Sequence, residues 1–134
     1  MKKFNKFFAV LFIIVLTSSG FAKNYNTEVS IIISRYLKGL EHPSKGVVES
    51  CILYVAQTKL LYPWKDYSKV IEKLDQIAVN DTCKTVRLKA CIASKCMKDP
   101  EKFKWVKDIS FEEMDELCSM MDEKEEEVKT LSVK

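Results

Sequence analysis

Cysteine is the residue type in this 134-residue chain with the widest chemistry, since it can bind zinc, form disulfides or act as a nucleophile. The chain contains five: Cys51, Cys83, Cys91, Cys96 and Cys118. None of their intervals has zinc-site spacing or forms the Cys-x-x-Cys motif of a thioredoxin-like redox site. The single histidine, His42, stands in no catalytic motif and is interpreted as a helix-start residue. The sequence therefore predicts a non-enzymatic protein, without catalytic, cofactor-binding or metal-binding residues.

Acidic side chains are concentrated in residues 112–127, which raises the question of a cation site. This stretch lacks the regularly spaced Asp/Asn and the central glycine of a calcium-binding loop. We interpret it as the solvated face of a helix.

Two tryptophans follow other aromatic residues at similar turns. Trp64 comes after Tyr62, and Trp105 comes after Phe103. Tryptophans at such turns can fill the core, which is the commoner arrangement, or they can form exposed anchors for a partner protein. The second interpretation makes these four aromatic residues the partner-binding candidates.

The N-terminus has the three parts of a secretory signal peptide. A basic start is followed by ten apolar residues, Phe7 to Leu16, and by Gly20 and Ala22 at the positions that a signal peptidase reads. A membrane anchor is the alternative, but ten residues fall short of the roughly 20 that cross a bilayer. The sequence thus predicts a signal peptide over residues 1–22. The exported protein would be periplasmic or secreted, from a bacterium, with no stable membrane anchor after cleavage.

Removal of the signal peptide changes the charge balance. The whole chain carries a formal charge of +3, and Lys2, Lys3 and Lys6 would leave with the signal. The remaining chain has 19 basic and 19 acidic side chains. Nucleic-acid binding needs a net basic surface, so we expect no nucleic-acid partner.

Apolar residues recur at helical spacing in five stretches, and no stretch alternates as a strand would. The predicted helices cover residues 27–40, 43–61, 66–78, 80–96 and 110–122. The fourth is expected to be packed on several sides. The buried positions are expected to include Ile71, Leu74, Ile92 and Leu117. We therefore predict one all-α domain, residues 23–122, followed by a charged flexible tail, residues 123–134.

Several helix starts carry side chains suited to capping. Asp66 or Ser68 can cap the third helix, and Asn80 or Asp81 can cap the fourth. Ser110 with a glutamate three residues later forms a capping box for the last helix.

The chain also matches itself at an offset of about 40 residues. Cys51-Ile52 aligns with Cys91-Ile92, and Leu74-Asp75 with Met114-Asp115. The stretch from Asp81 to Ala90 resembles the opening of a HEAT repeat, with an acidic residue, Val-Arg and then a small residue. This resemblance implies a short HEAT-like (armadillo-type) stack of helix pairs over residues 29–121. An irregular helical bundle with a disulfide is the alternative.

The repeat arrangement also bears on the cysteines. It would place Cys51, Cys91 and Cys118 at similar heights, which makes them the disulfide candidates in an oxidising compartment. Cys83 and Cys96 lie at opposite ends of one predicted helix, about 20 Å apart, and cannot bond to each other. Free thiols that fill small core positions remain an equal alternative.

Helical stacks generally work by presenting an extended surface. The sequence therefore predicts an exported protein–protein interaction module that binds another exported or envelope protein. A small helical carrier that encloses an apolar ligand is the alternative, and it would need a closed apolar cavity.

Overall fold

A computed structural model of the chain describes the backbone of residues 27–132 and the side chains of residues 27–124. The signal peptide predicted for residues 1–22 lies outside the described residues. The chain divides into two units between Ile32 and Ile33. The description below concerns the second unit, together with the short helical stretch that leads into it.

The described part of the chain is helical throughout. The first helix, α1, covers residues 27–39. It is followed by α2 (Lys45–Leu61), α3 (Ser68–Asn80), α4 (Lys84–Lys98), a short 3-10 helix (Lys104–Lys107) and α5 (Phe111–Ser132). Residues 27–132 contain no strand, so the predicted all-α class is confirmed. Within those residues no helix combines the length and apolar character needed to cross a membrane.

The predicted capping box at the start of α5 is present. The Ser110 backbone N–H donates to Glu113 Oε2 at 2.7 Å, and the Glu113 N–H donates to Ser110 Oγ at 3.1 Å. At α3, Asp66 Oδ1 accepts the Ser68 N–H at 2.9 Å and also the Ser68 hydroxyl. Helix α5 begins where the sequence places it, because the Ser110 and Glu113 side chains satisfy backbone N–H groups at its start. The predicted cap of α3 is wrong: its N-cap is Tyr67, which makes no side-chain cap bond, and the Asp66 carboxylate closes an Asx turn ahead of the helix.

The start of α4 differs from the prediction. Asn80 ends α3, and α4 begins at Lys84 with Cys83 as its N-cap. The Asp81 carboxylate accepts the Cys83 N–H at 2.8 Å, and the Asp81 carbonyl accepts a bond from Arg87 Nη1 at 2.7 Å. Neither Asn80 nor Asp81 caps α4, because the carboxylate closes a tight Asx turn ahead of the helix instead.

Helix α4 is the central element of the second unit. It packs against α2, α3 and α5. Its buried side chains are Val86, Lys89, Ala90, Ile92, Ala93, Ser94, Cys96 and Met97. Small residues on several faces allow three helices to approach it, which agrees with the expectation that this stretch is packed on more than one side.

The predicted core is correct at two of the four positions. Leu74 is fully buried and Ile92 is 7 % exposed. Ile71 and Leu117 are only partly buried and pack on the edge of the core. Each of these two side chains also lines a surface groove, and amphipathic spacing alone does not predict such grooves.

Helices α1 and α2 approach closely at a glycine. A Cβ atom added to Gly39 would overlap Cys51 Sγ, whereas one added to Gly46 would meet nothing within 4 Å. Gly39 therefore lies where a side chain would force the two helices apart.

The last helix continues further than the amphipathic pattern. It reaches Ser132 and so includes most of residues 123–134. The flexibility that the sequence suggests for that segment stays a prediction.

Candidate functional site

The first aromatic pair lies just after α2. The Tyr62 and Trp64 rings meet edge to face, with centroids 5.8 Å apart. The buried Tyr67 hydroxyl lies 3.2 Å from the Thr58 carbonyl oxygen and 3.1 Å from that of Tyr62, so it ties the turn to the end of α2. Burial raises the pKa of Tyr67 to about 12, so this hydroxyl stays a donor. Trp64 is 67 % exposed, which makes it a surface residue rather than a core residue.

The second pair lies at the 3-10 helix. The Phe103 and Trp105 centroids are 6.2 Å apart. Phe103 packs on the core, while Trp105 is 45 % exposed. Gln57 Nε2 on α2 donates to the Val106 carbonyl at 3.2 Å and to the Ile109 carbonyl at 3.0 Å. The core and α2 thus hold this turn so that the Trp105 ring is presented to solvent.

An open surface groove lies between this turn and α5. Its volume is about 470 Å³, and we call it the Trp105 groove. It is lined by Trp105, Asp108, Ile109, Glu113, Glu116, Leu117 and Met120. Four of these side chains are apolar and the other three are acidic. The sequence indicates Trp105 but not its neighbours, since the spacing in residues 116–120 predicts only core and solvated helix face.

A buried lysine contacts the side of α5 that faces away from the groove. Lys89 on α4 is 1 % exposed. Its Nζ lies 3.1 Å from Glu49 Oε1 on α2, bonds to Asp115 on α5, and sits 4.5 Å from the centroid of the Phe111 ring. The ammonium therefore has an opposite charge on each side and an aromatic face, as a buried cation requires.

The two sides of α5 have separate roles. Phe111, Asp115, Cys118 and Asp122 recur at helical spacing and face α4, where Asp122 pairs with Lys84. Glu113, Glu116, Leu117 and Met120 recur at the same spacing on the groove side. Because the contacts to α4 fix the rotation of α5, they also fix the wall of the Trp105 groove.

Sequence reasoning also missed Lys89, although a signal was present. Lys89 interrupts the small apolar stripe of Val86, Ala90 and Ala93, and an opposite charge, Glu49, stands 40 residues earlier. Opposite charges at the offset of 40 residues, at which the sequence matches itself, could have predicted the contact.

All five cysteines are free thiols, including the disulfide candidates Cys51, Cys91 and Cys118. Cys51 Sγ lies against Gly39. Burial raises the pKa of Cys51 and Cys118, and it raises that of Cys96 to about 11. These surroundings are typical of packing thiols rather than of reactive ones.

Cys83 differs from those buried thiols. The backbone N–H of Val86, followed by the nearby Lys45 ammonium, lowers the pKa of Cys83. Its position at the N-terminus of α4 explains this, since the helix dipole favours an anion there. A single thiol of this kind does not constitute a catalytic site.

The described residues contain no group of His, Cys, Asp and Glu side chains that could hold a metal ion. Comparison of the chain with protein families, with curated proteins and with solved structures finds no match. The HEAT-like resemblance therefore rests on the residues of this chain, and the Trp105 groove is the candidate site.

Proposed function

We propose that this chain is a non-enzymatic interaction module that binds another exported or envelope protein through its aromatic turns. The observation that carries the proposal is the exposure of Trp105 on a turn that is held rigid by Gln57 and the core. A large aromatic side chain held out in solvent loses little entropy on binding and often dominates interface energetics. The adjoining apolar groove offers room for a partner's side chains.

The HEAT-like arrangement is part of the proposal. In such a stack, equivalent positions of successive repeats lie side by side. Glu49 and Lys89, which are 40 residues apart, contact each other across α2 and α4, and this contact supports the repeat offset. The alternative, a carrier of an apolar ligand, would need a closed apolar cavity. The grooves lined by described residues are open to solvent, and α4 fills the space between its neighbours.

Export is likewise proposed, on the pattern of residues 1–22. The mature protein should then begin at Lys23. Mass spectrometry of protein recovered outside the cytoplasm tests this, and recovery of a chain that retains Phe7 to Leu16 would overturn it.

The binding proposal is tested with alanine variants of the exposed tryptophans. Trp105→Ala and Trp64→Ala should remain folded by circular dichroism, because neither residue is buried: Trp64 is 67 % exposed and Trp105 is 45 % exposed. They should lose a partner that copurifies with the wild-type chain from cells that express it. Tyr54→Ala removes a 50 % exposed aromatic side chain on α2 and is the matched control. Equal loss of the partner with Tyr54→Ala, or unfolding of the tryptophan variants, would contradict the proposal.

A further inference from the structure

We infer that the Trp105 groove binds a basic amphipathic helix of the partner protein, with apolar side chains in the groove and Lys or Arg at its edges. This inference rests on the proposed function and names the chemistry of the partner. It follows from the composition, the charge and the length of the groove.

The apolar floor of the groove is accessible. Trp105 is 45 % exposed and Met120 is 49 % exposed. Leu117 and Ile109 lie deeper and pack on the core. A rigid aromatic ring beside a flexible methionine can adapt to an inserted aliphatic side chain. The floor therefore favours an apolar anchor.

The charges that line the groove have one sign. Asp108, Glu113 and Glu116 are acidic, and no basic side chain lines it. The Glu113 carboxylate is engaged by the Ser110 N–H in the capping box. Asp108 and Glu116 are exposed, and within the described part of the chain neither makes a side-chain ion pair. Two unpaired carboxylates at the edges of an apolar groove are complementary to Lys or Arg that flank an apolar anchor.

The length of the groove fits a short helix. Glu113 to Met120 spans about 10 Å at 1.5 Å per residue, which is two helical turns. A partner helix can place apolar side chains one turn apart into such a groove, with its basic residues on both flanks. The α5 wall is firm enough for this, since Lys89 and Lys84 fix the opposite side of that helix.

The test uses a synthetic alanine-rich helical peptide with two leucines one turn apart and lysines on both flanks. Two controls replace the lysines by glutamates or the leucines by serines. Trp105 fluorescence in the Trp64→Phe background reports binding, because Trp105 is then the only tryptophan. The lysine–leucine peptide should produce a saturable change, and both control peptides should bind at least about tenfold more weakly.

Variants of the protein locate the site. Met120→Glu should weaken binding by about tenfold or more, whereas Met121→Glu, at a neighbour outside the groove that is 42 % exposed, should change it less than about twofold. Asp108→Asn with Glu116→Gln should weaken binding about threefold or more at low salt, and high salt should reduce that difference. Glu112→Gln with Glu123→Gln removes two negative charges from exposed positions of α5 outside the groove and should have little effect.

Equal binding of the glutamate peptide, or equal weakening by Met121→Glu, would overturn the inference. Absence of binding by the lysine–leucine peptide would overturn it as well. If the copurified partner still depended on Trp105 in that case, the interaction function would stand and only the basic amphipathic chemistry would be wrong. If the dependence on Trp105 were also absent, the proposed function would fail with it.

Discussion

Lys89 Nζ lies 3.1 Å from Glu49 Oε1, although the two residues are 40 positions apart in the sequence. The contact joins the middle of α4 to α2, and the bond from Lys89 to Asp115 extends it to α5. A buried cation between two carboxylates fixes the register of three helices at once, because any other register would leave a charge unpaired.

Breaking this cluster should destabilise the protein. Lys89→Met leaves the Glu49 carboxylate, whose side chain is 12 % exposed, with only the longer contact to the exposed Lys45 ammonium at 3.9 Å. The expected loss in free energy of unfolding is about 3 kcal/mol, measured by urea denaturation. Lys98→Met removes a surface pair with Asp75 and should cost less than about 1 kcal/mol. If Lys89→Met lowered the free energy of unfolding by no more than Lys98→Met does, a structural role for the cluster would be contradicted.

The approach of α1 to α2 gives a second prediction. Gly39→Ala should destabilise by about 1–3 kcal/mol, because the new methyl group overlaps Cys51 Sγ. Gly46→Ala meets open space and should be neutral or stabilise by up to about 1 kcal/mol. Adding Cys51→Ala to Gly39→Ala should recover most of the loss in thermal unfolding. If Gly39→Ala behaved like Gly46→Ala, the two helices would be further apart than described.

Asp75 should make stability depend on pH in acid. Hydrogen bonds from Lys98 and then Ser94 lower the pKa of Asp75 below its ordinary 3.8. A lowered folded-state pKa stabilises the protein above the unfolded pKa, and this contribution is lost as the pH falls through the folded pKa.

Asp75→Asn keeps an oxygen for Ser94 but loses the charge that pairs with Lys98. It should be less stable than wild type near neutral pH, by under about 1 kcal/mol since the pair is half-exposed. The difference should begin to shrink near pH 3.8 and vanish below the lowered folded-state pKa of Asp75. Asp108→Asn should show no comparable difference. A difference in stability between wild type and Asp75→Asn that increased in acid would contradict a lowered folded-state pKa for Asp75.

Thiol reactivity should separate Cys83 from the buried cysteines. Its lowered pKa increases the thiolate fraction at neutral pH, so iodoacetamide should label Cys83 before Cys51, a thiol that is also partly buried but whose pKa is raised. Peptide mass spectrometry after brief labelling measures the order. Lys45→Met should slow the labelling of Cys83 but not that of Cys51. Faster labelling of Cys51 would show that the environment of Cys83 is described wrongly.

The sequence predicts the features that depend on neighbouring residues. The capping box of Ser110 and Glu113 and the burial of Leu74 follow from local spacing, and both are present. The predicted cap of α4 was wrong because the Asp81 carboxylate can either cap the helix or close a turn before it, and it closes the turn. Spacing within one helix does not predict the burial of Lys89, which depends on its partners on other helices, although the offset of 40 to Glu49 is a signal for it. Spacing also does not decide between core and surface for Trp105, because the turn that α2 holds sets its exposure.

Site-specific photocrosslinking at the Trp105 groove tests the central claim most directly. Benzoylphenylalanine in place of Trp105, in the full chain in living cells, should crosslink one partner protein, identified by mass spectrometry. The same probe at Val79, which is 77 % exposed on α3, should not crosslink that partner. Adding Met120→Glu should abolish the crosslink at position 105, and adding Met121→Glu should preserve it. The same crosslinked products from positions 79 and 105, or no crosslinked protein from position 105, would contradict the binding of a partner at the Trp105 groove.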